Sequence, residues 1–147
     1  MPQHRVAVIQ AGTTLFDTPR TLERMSALCE EARHNTVELA VFPEAYIGGY
    51  PKGLDFGARV GTRSEAGRDD YLRYWKAAIE VPGPECRTIG SFAAKMKAHL
   101  VTGIIERDGG SLYCAVLFFA PDGSLLGKRR KLMPTSSERL IWGQGDG

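Results

Sequence analysis

Short, dense apolar runs alternate along this chain with longer stretches in which apolar positions return every three or four residues. Residues 5–11, RVAVIQA, are rich in Val and Ile and predict a buried strand. The loop GTTLFDTP follows. Leu22, Met25, Cys29 and Ala32 then recur at helical spacing, with Glu23, Arg24, Glu30, Glu31 and Arg33 mostly on the other side. Thr18 is the expected N-cap of this helix. Pro19 suits its first turn, where a missing N–H costs nothing. Cys29 falls on the apolar face and reads as a core residue, since a buried thiol without a basic neighbour is a poor nucleophile. Residues 38–42, ELAVF, predict a second strand that Pro43 closes, because proline donates no ladder hydrogen bond. Strand, helix and strand in this order predict a crossover between neighbouring parallel strands.

The pattern then lapses. Residues 47–67 hold six glycines and no stable period, which predicts a long turn-rich excursion of the functional kind. Residues 68–79 predict a helix that buries Tyr71, Leu72, Trp75 and Ile79, and VPGP at 81–84 breaks it. Residues 85–98 predict another, with Ile89, Phe92, Ala93 and Met96 inward and weakened at Gly90 by about 1 kcal/mol relative to alanine. Three strands follow, over 100–106, 112–120 and 125–132. They are separated by the turn signals Asp108-Gly109-Gly110 and Pro121-Asp122-Gly123. The whole reads as an α+β or layered α/β domain.

Size and charge narrow the function classes. A length of 147 residues suits one domain, and an apolar share of 43% is enough for a core. The net charge of +2 gives no global reason to expect nucleic acid. Three cysteines without paired spacing, Cys29, Cys86 and Cys114, argue against a disulfide framework. No Cys/His spacing suggests a metal. The apolar run at the N-terminus is too short for a signal peptide, and no stretch approaches a membrane span. A reducing cytoplasm is the expected location.

Three charged residues stand where chemistry could be done. Glu44 in FPEAY follows a strand end, the edge at which ligands gather in α/β sheets; it could equally be a solvated loop carboxylate. Lys131 closes the run KRRK, which could be a nucleic-acid patch or an edge-protecting set of lysines. Period-two alternation speaks against one continuous patch. It places Arg129 with Lys131 on one face and Lys128 with Arg130 on the other. A fixed ammonium at Lys131, meeting Glu44 at one sheet edge, would stabilise charge developing during nucleophilic attack. Glu138, after Thr135-Ser136-Ser137, is either a helix-start carboxylate near a serine cap or a group that orients Lys131; spacing does not separate the two.

Three blocks, FPEAYIGGYPKGLDFGARVGTRSEAGRDDYLRYW, AIEVPGPE and KRRKLMPTSSERLIWGQGDG, occur in an order that resembles the nitrilase branch of the carbon–nitrogen hydrolases. The likeness runs from VAVIQAG to the last residue. It implies an αββα sandwich and hydrolysis of organic nitriles to carboxylic acids and ammonia, without metal or organic cofactor. It assigns Glu44 as base, Lys131 as stabiliser and Glu138 as the second glutamate. Tyr50 would border the substrate pocket or simply pack as an aromatic. The family's Cys-Trp-Glu-Asn block is absent, and none of the three cysteines sits in the strand-to-turn setting of the family nucleophile. The expectation is therefore the N-terminal part of such a domain over residues 1–147, cut before its cysteine, inactive alone and prone to associate through uncovered apolar surface. In the complete enzyme the resemblance implies self-association, often into spirals, a small-molecule nitrile as substrate, and no nucleic-acid or membrane partner. Two alternatives stay open: a non-catalytic assembly partner, and the amidase or N-carbamoyl hydrolase branch of the same superfamily.

Overall fold

A helix between two short apolar runs leaves them little choice but to lie side by side and parallel. The computed structural model describes residues 3–59 and 61–146. Val60 in the glycine-rich excursion and Gly147 at the end of the terminal stretch lie outside them, as do Met1 and Pro2. β1 (Val6–Val8) pairs parallel with β2 (Leu39–Val41) in the register Val6 to Leu39, and α1 (Thr18–His34) makes the crossover. After α2 (Glu65–Ala77) and α3 (Pro84–Met96), β3 (His99–Asp108) adds parallel to β2. β4 (Ser111–Phe119) and β5 (Leu125–Arg130) complete the sheet as an antiparallel meander. The order is β1-β2-β3-β4-β5. This is the expected mixed α/β arrangement, a five-stranded sheet with helices that forms part of an αββα sandwich.

The two sheet faces differ. Ala40, Leu100, Ile104, Ala115 and Leu117 meet Met25 and Cys29 of α1 and Ile89, Phe92 and Met96 of α3 in the main core. Burial pushes the Cys29 thiol up to about 12, as expected of a packing cysteine. On the opposite face, Ile105 and Cys114 are covered by Tyr74 and Trp142 in a second, smaller cluster. The rest of that face is open. Val8 is 73% exposed and Phe118 37%, with Val41, Val101 and Val116 half-buried between them.

Local chemistry moved two predicted boundaries. The N-cap of α1 is Asp17, not Thr18: the Asp17 carboxylate accepts the N–H of Arg20, while the Thr18 hydroxyl donates to the Ala77 carbonyl. Asp17→Ala is expected to lower stability by about 1 kcal/mol, read as a shift in the urea midpoint. The second helix begins at Glu65, capped by the Ser64 hydroxyl. It buries Tyr74 and Ala77, whereas Leu72 stays 47% exposed and Ile79 lies beyond the helix, bridged to Glu106. Packing against the 45–57 segment rotates the buried face away from the one the spacing favoured. Gly90 has a tertiary reason: a Cβ there would lie 2.5 Å from the Gly123 carbonyl oxygen, so the turn after β4 needs this gap.

Candidate active site

Glu44 is positioned by what Gly103 lacks. Just past β2 the chain lies flat against β3, with Gly103 N–H donating to Pro43 O at 3.1 Å and Ile47 N–H donating to Gly103 O at 3.2 Å. A Cβ on Gly103 would fall 2.4 Å from Pro43 O, 2.5 Å from Ala45 N and 2.6 Å from Glu44 Cα. No side chain fits there.

Lys131 is the first residue after β5, and its N–H still donates to Cys114 O of β4 at 2.7 Å. That ladder-like bond turns its side chain to the face opposite α1 and α3. The alternation inferred from the sequence holds: Lys128 and Arg130 turn to the other face, where both bind the buried Glu106 carboxylate. Arg130 also reaches Asp108 at 2.5 Å and stacks 3.8 Å over the Tyr113 ring. KRRK is thus split between two faces, with Lys128 and Arg130 ion-paired on one and Lys131 on the other, and offers no continuous basic surface.

Glu138 sits in a single turn of 3₁₀ helix, Ser136–Leu140. Its Oε2 accepts the Thr135 N–H at 2.6 Å and the Lys131 ammonium at 2.8 Å. Its Oε1 accepts the Tyr50 hydroxyl at 2.8 Å. Glu138 thus completes a capping box with Thr135, not with a serine, and the same carboxylate pairs with Lys131. Lys131 Nζ also donates to Glu44 Oε1 at 2.9 Å. Glu44, Lys131 and Glu138, spread over 94 positions (138 − 44), therefore form one chain of contacts. Along it the side chains grow more enclosed, from 52% exposed at Glu44 through 27% at Lys131 to 11% at Glu138.

The charges respond to one another. The hydrogen bond to Glu138, then that to Glu44, holds Lys131 well above the ordinary lysine value against the opposing effect of burial. Burial works to raise the Glu138 carboxyl, but Lys131, the Thr135 N–H and Tyr50 together outweigh it and hold the group below its usual range. Asp108 is likewise lowered, first by its hydrogen bond to Arg130. Both carboxyls titrate lower in the folded chain than in the unfolded one. Their stabilisation is complete above the unfolded carboxyl values and is lost as pH falls through the folded ones. The urea midpoint is expected to stay level from about pH 7 to about pH 5 and to drop below about pH 4, more steeply in the parent than in Glu138→Gln. Lys131 acts at the other end, its contribution being lost only as pH rises past the unfolded lysine value of about 10.4.

Cys114 is the residue the sequence did not reveal as part of this centre. Its thiol donates to Glu44 Oε1 at 3.6 Å. Burial first, and then the negative charge of Glu44, push it up to about 12, so it is a protonated donor rather than a nucleophile. The signal that could have found it is register. A strand residue whose carbonyl receives the Lys131 N–H must share Lys131's face. Glu44, Cys114 and Lys131 border an open hollow of about 570 Å³ together with Val41, Val101 and Leu132. Tyr50 does not line this hollow. Its hydroxyl holds Glu138, and its ring packs edge-on to Trp142 with centroids 5.6 Å apart. A carboxylate, an ammonium and a second carboxylate beside an open hollow can move protons and stabilise an anion; they lack an accessible thiol. Among the described residues no group of three or more His, Cys, Asp or Glu could hold a metal ion, and no helix is long and apolar enough to cross a membrane.

Residues 5–147 match the family described as Carbon-nitrogen hydrolase. The chain is similar to Nitrilase 2 of Arabidopsis thaliana, 54% identical over 143 residues that are 97% of this chain and 42% of that protein. It is also similar to the bifunctional nitrilase/nitrile hydratase NIT4A of Lupinus angustifolius, 52% identical over 99% of this chain and 42% of that protein. Among solved structures, a CN-hydrolase superfamily protein of Xanthomonas campestris with an arsenic adduct in its active site superposes with a TM-score of 0.72. It is 21% identical and covers all of this chain and 48% of its own. An amidase from Nesterenkonia sp. superposes at 0.67, with 16% identity over 98% of this chain and 49% of its own. At these identities the two structures speak for the fold alone. The chain spans about two fifths of the length of the curated relatives it matches.

Proposed function

Because the chain belongs to the carbon–nitrogen hydrolase family, we propose that Glu44, Lys131 and Glu138 are the acid–base and charge-stabilising part of a nitrile-hydrolysing centre whose nucleophilic cysteine lies outside these 147 residues. The observation that carries this reading is the pair of hydrogen bonds from one ammonium, Lys131 Nζ, to Glu44 at 2.9 Å and to Glu138 at 2.8 Å beside an open hollow. The names of the relatives supply the substrate class, organic nitriles. The burial of all three thiols supports an external nucleophile.

In the complete enzyme, Glu44 takes the proton from the cysteine thiol as sulfur attacks the nitrile carbon, giving a thioimidate. Negative charge grows on the nitrile nitrogen, and the Lys131 ammonium stabilises it. Glu138 keeps Lys131 charged and aimed. Water adds with Glu44 as base, ammonia leaves, and a second water cleaves the thioester to the carboxylic acid. Two waters are consumed and the thiol is regenerated. Tyr50 acts through Glu138, whose carboxylate its hydroxyl holds.

The test measures ammonia release from benzonitrile and propionitrile by the 147-residue chain and by a protein continued to the length of its relatives. No release from the chain and release from the longer protein is the expected pair. Turnover by the chain alone, or full activity of the longer protein carrying Glu44→Gln, would overturn the reading.

The open apolar face, with Val6 48% and Val8 73% exposed, favours a second reading in which the chain docks onto other subunits as an assembly partner. Size-exclusion of the chain mixed with the longer protein separates the two readings. Co-elution without any change in activity supports the second.

A further inference from the structure

Trp142 is 2% exposed and sits in the smaller cluster with Ala45, Tyr74, Ile105 and Cys114. A tryptophan that only filled this space would need a partner for its N–H and nothing more. Beyond its β-bridge to Leu112, four directed contacts of Trp142 lead to the charged trio. Its backbone N–H donates to Glu138 O at 2.8 Å and closes the turn that carries Glu138. Its ring face lies 5.7 Å below Lys131 Nζ, and its ring meets Tyr50 edge-on. Its indole Nε1–H donates to the Tyr74 hydroxyl at 3.1 Å, which in turn donates to the Gly49 carbonyl at 2.9 Å. Gly49 precedes Tyr50, whose own hydroxyl returns to Glu138.

The contacts form a closed circuit: Trp142, Tyr74, Gly49, Tyr50, Glu138 and back to Trp142. Lys131 touches it at Glu138 and at the Trp142 ring. The circuit's fixed points are stiff. Tyr74 is fully buried on α2, and burial holds its hydroxyl well above the ordinary tyrosine value, so it stays a donor. A Cβ on Gly49 would meet the Leu15 side chain at 2.7 Å, so the loop is held from its other side too.

We propose that Trp142 is a positioning residue of the centre. Through its N–H to Tyr74 and its ring against Tyr50 and Lys131, it fixes where Glu138 holds the ammonium, and so how well that ammonium meets the developing charge. This rests on the reading of Glu44, Lys131 and Glu138 given above. Displacing a stabilising charge by a fraction of an ångström lowers the rate of the chemical step while leaving substrate binding almost untouched.

The experiment uses the complete enzyme with benzonitrile, at a temperature where every variant is folded. Trp142→Phe keeps a ring and loses the N–H; Tyr74→Phe keeps the ring and loses the hydroxyl. Each is expected to lower kcat about tenfold with KM within about twofold of the parent. The double variant should be no worse than the weaker single, because both cut the same circuit. Ile105→Val, in the same cluster without a polar contact, should leave kcat unchanged. An unaltered kcat in Trp142→Phe, losses that multiply in the double variant, or an equal loss in Ile105→Val would overturn the proposal. If Trp142→Phe does not fold, Tyr74→Phe against Ile105→Val decides it alone. Lys131→Ala is run alongside. Activity retained there sinks the reading of the centre itself, whereas a dead Lys131→Ala beside an unimpaired Trp142→Phe sinks only the role of Trp142.

Discussion

Lys131→Ala in the complete enzyme is expected to lower nitrile turnover about a thousandfold or more, measured as ammonia release at saturating benzonitrile. Removing one preorganised donor from a developing anion costs about a hundred- to a thousandfold in comparable centres. Here the loss is compounded, because the ammonium also joins two carboxylates. Without it Glu138 retains only the Thr135 N–H and the Tyr50 hydroxyl, and Glu44 retains the weak Cys114 thiol. Two negative charges then share one pocket without a cation between them, and their repulsion drives Glu44 from the place where it serves as a base. Lys131→Arg should not rescue the activity. A planar guanidinium engages the two glutamates with a different fork and cannot place one nitrogen on both at once in the same geometry. Activity within tenfold of the parent in Lys131→Ala would remove Lys131 from the mechanism.

Gly103→Ala is expected to damage both stability and activity, although it adds a single methyl. The new carbon would sit within 2.6 Å of three backbone atoms of residues 43–45, and backbone cannot swing aside as a long side chain can. Overpacking of this kind costs about 1–3 kcal/mol or more, a large share of the roughly 5–15 kcal/mol that hold a domain together. The relief available is to push the 43–45 segment off β3, which breaks the bonds at Gly103 N–H and Gly103 O and carries Glu44 with it. The urea midpoint of the chain should fall, and the complete enzyme should lose more activity than the stability loss explains. Gly110→Ala, where a Cβ meets nothing within 4 Å, is the control and should leave both unchanged. A Gly103→Ala variant with parental stability and activity would show that Glu44 is not held by this close approach.

Much of the sheet was legible because strand chemistry is local. VAVIQA and ELAVF announce parallel neighbours around one helix, and the Asp-Gly-Gly and Pro-Asp-Gly turns mark the meander without help from distant residues. The helices were less so. Asp17 and Thr18 are both good caps by residue type, and only the Ala77 carbonyl decides what Thr18 does. The buried face of α2 was misplaced because Tyr71, Leu72, Trp75 and Ile79 show a plausible stripe. Gly49, which receives the Tyr74 hydroxyl, lies 25 positions away.

The sequence by itself determined the element order, the crossover and the split of KRRK into two faces, and it offered Glu44, Lys131 and Glu138 as candidates through three blocks in family order. Each of these depends on period, turn chemistry or residue type, which a chain carries with it before it folds. Tertiary structure alone decided that Lys131 bonds both glutamates, that Cys114 stands beside Glu44 as a protonated donor, that Tyr50 holds Glu138, and that Trp142 closes a circuit around them. Those are angstrom-scale meetings of groups 4 to 92 positions apart. They are set by where β3, β4 and β5 place their ends and by the room that Gly103 leaves empty. The strength of a hydrogen bond or ion pair falls away over less than the length of one side chain. No spacing along the chain can encode that distance, and only the packed sheet fixes it.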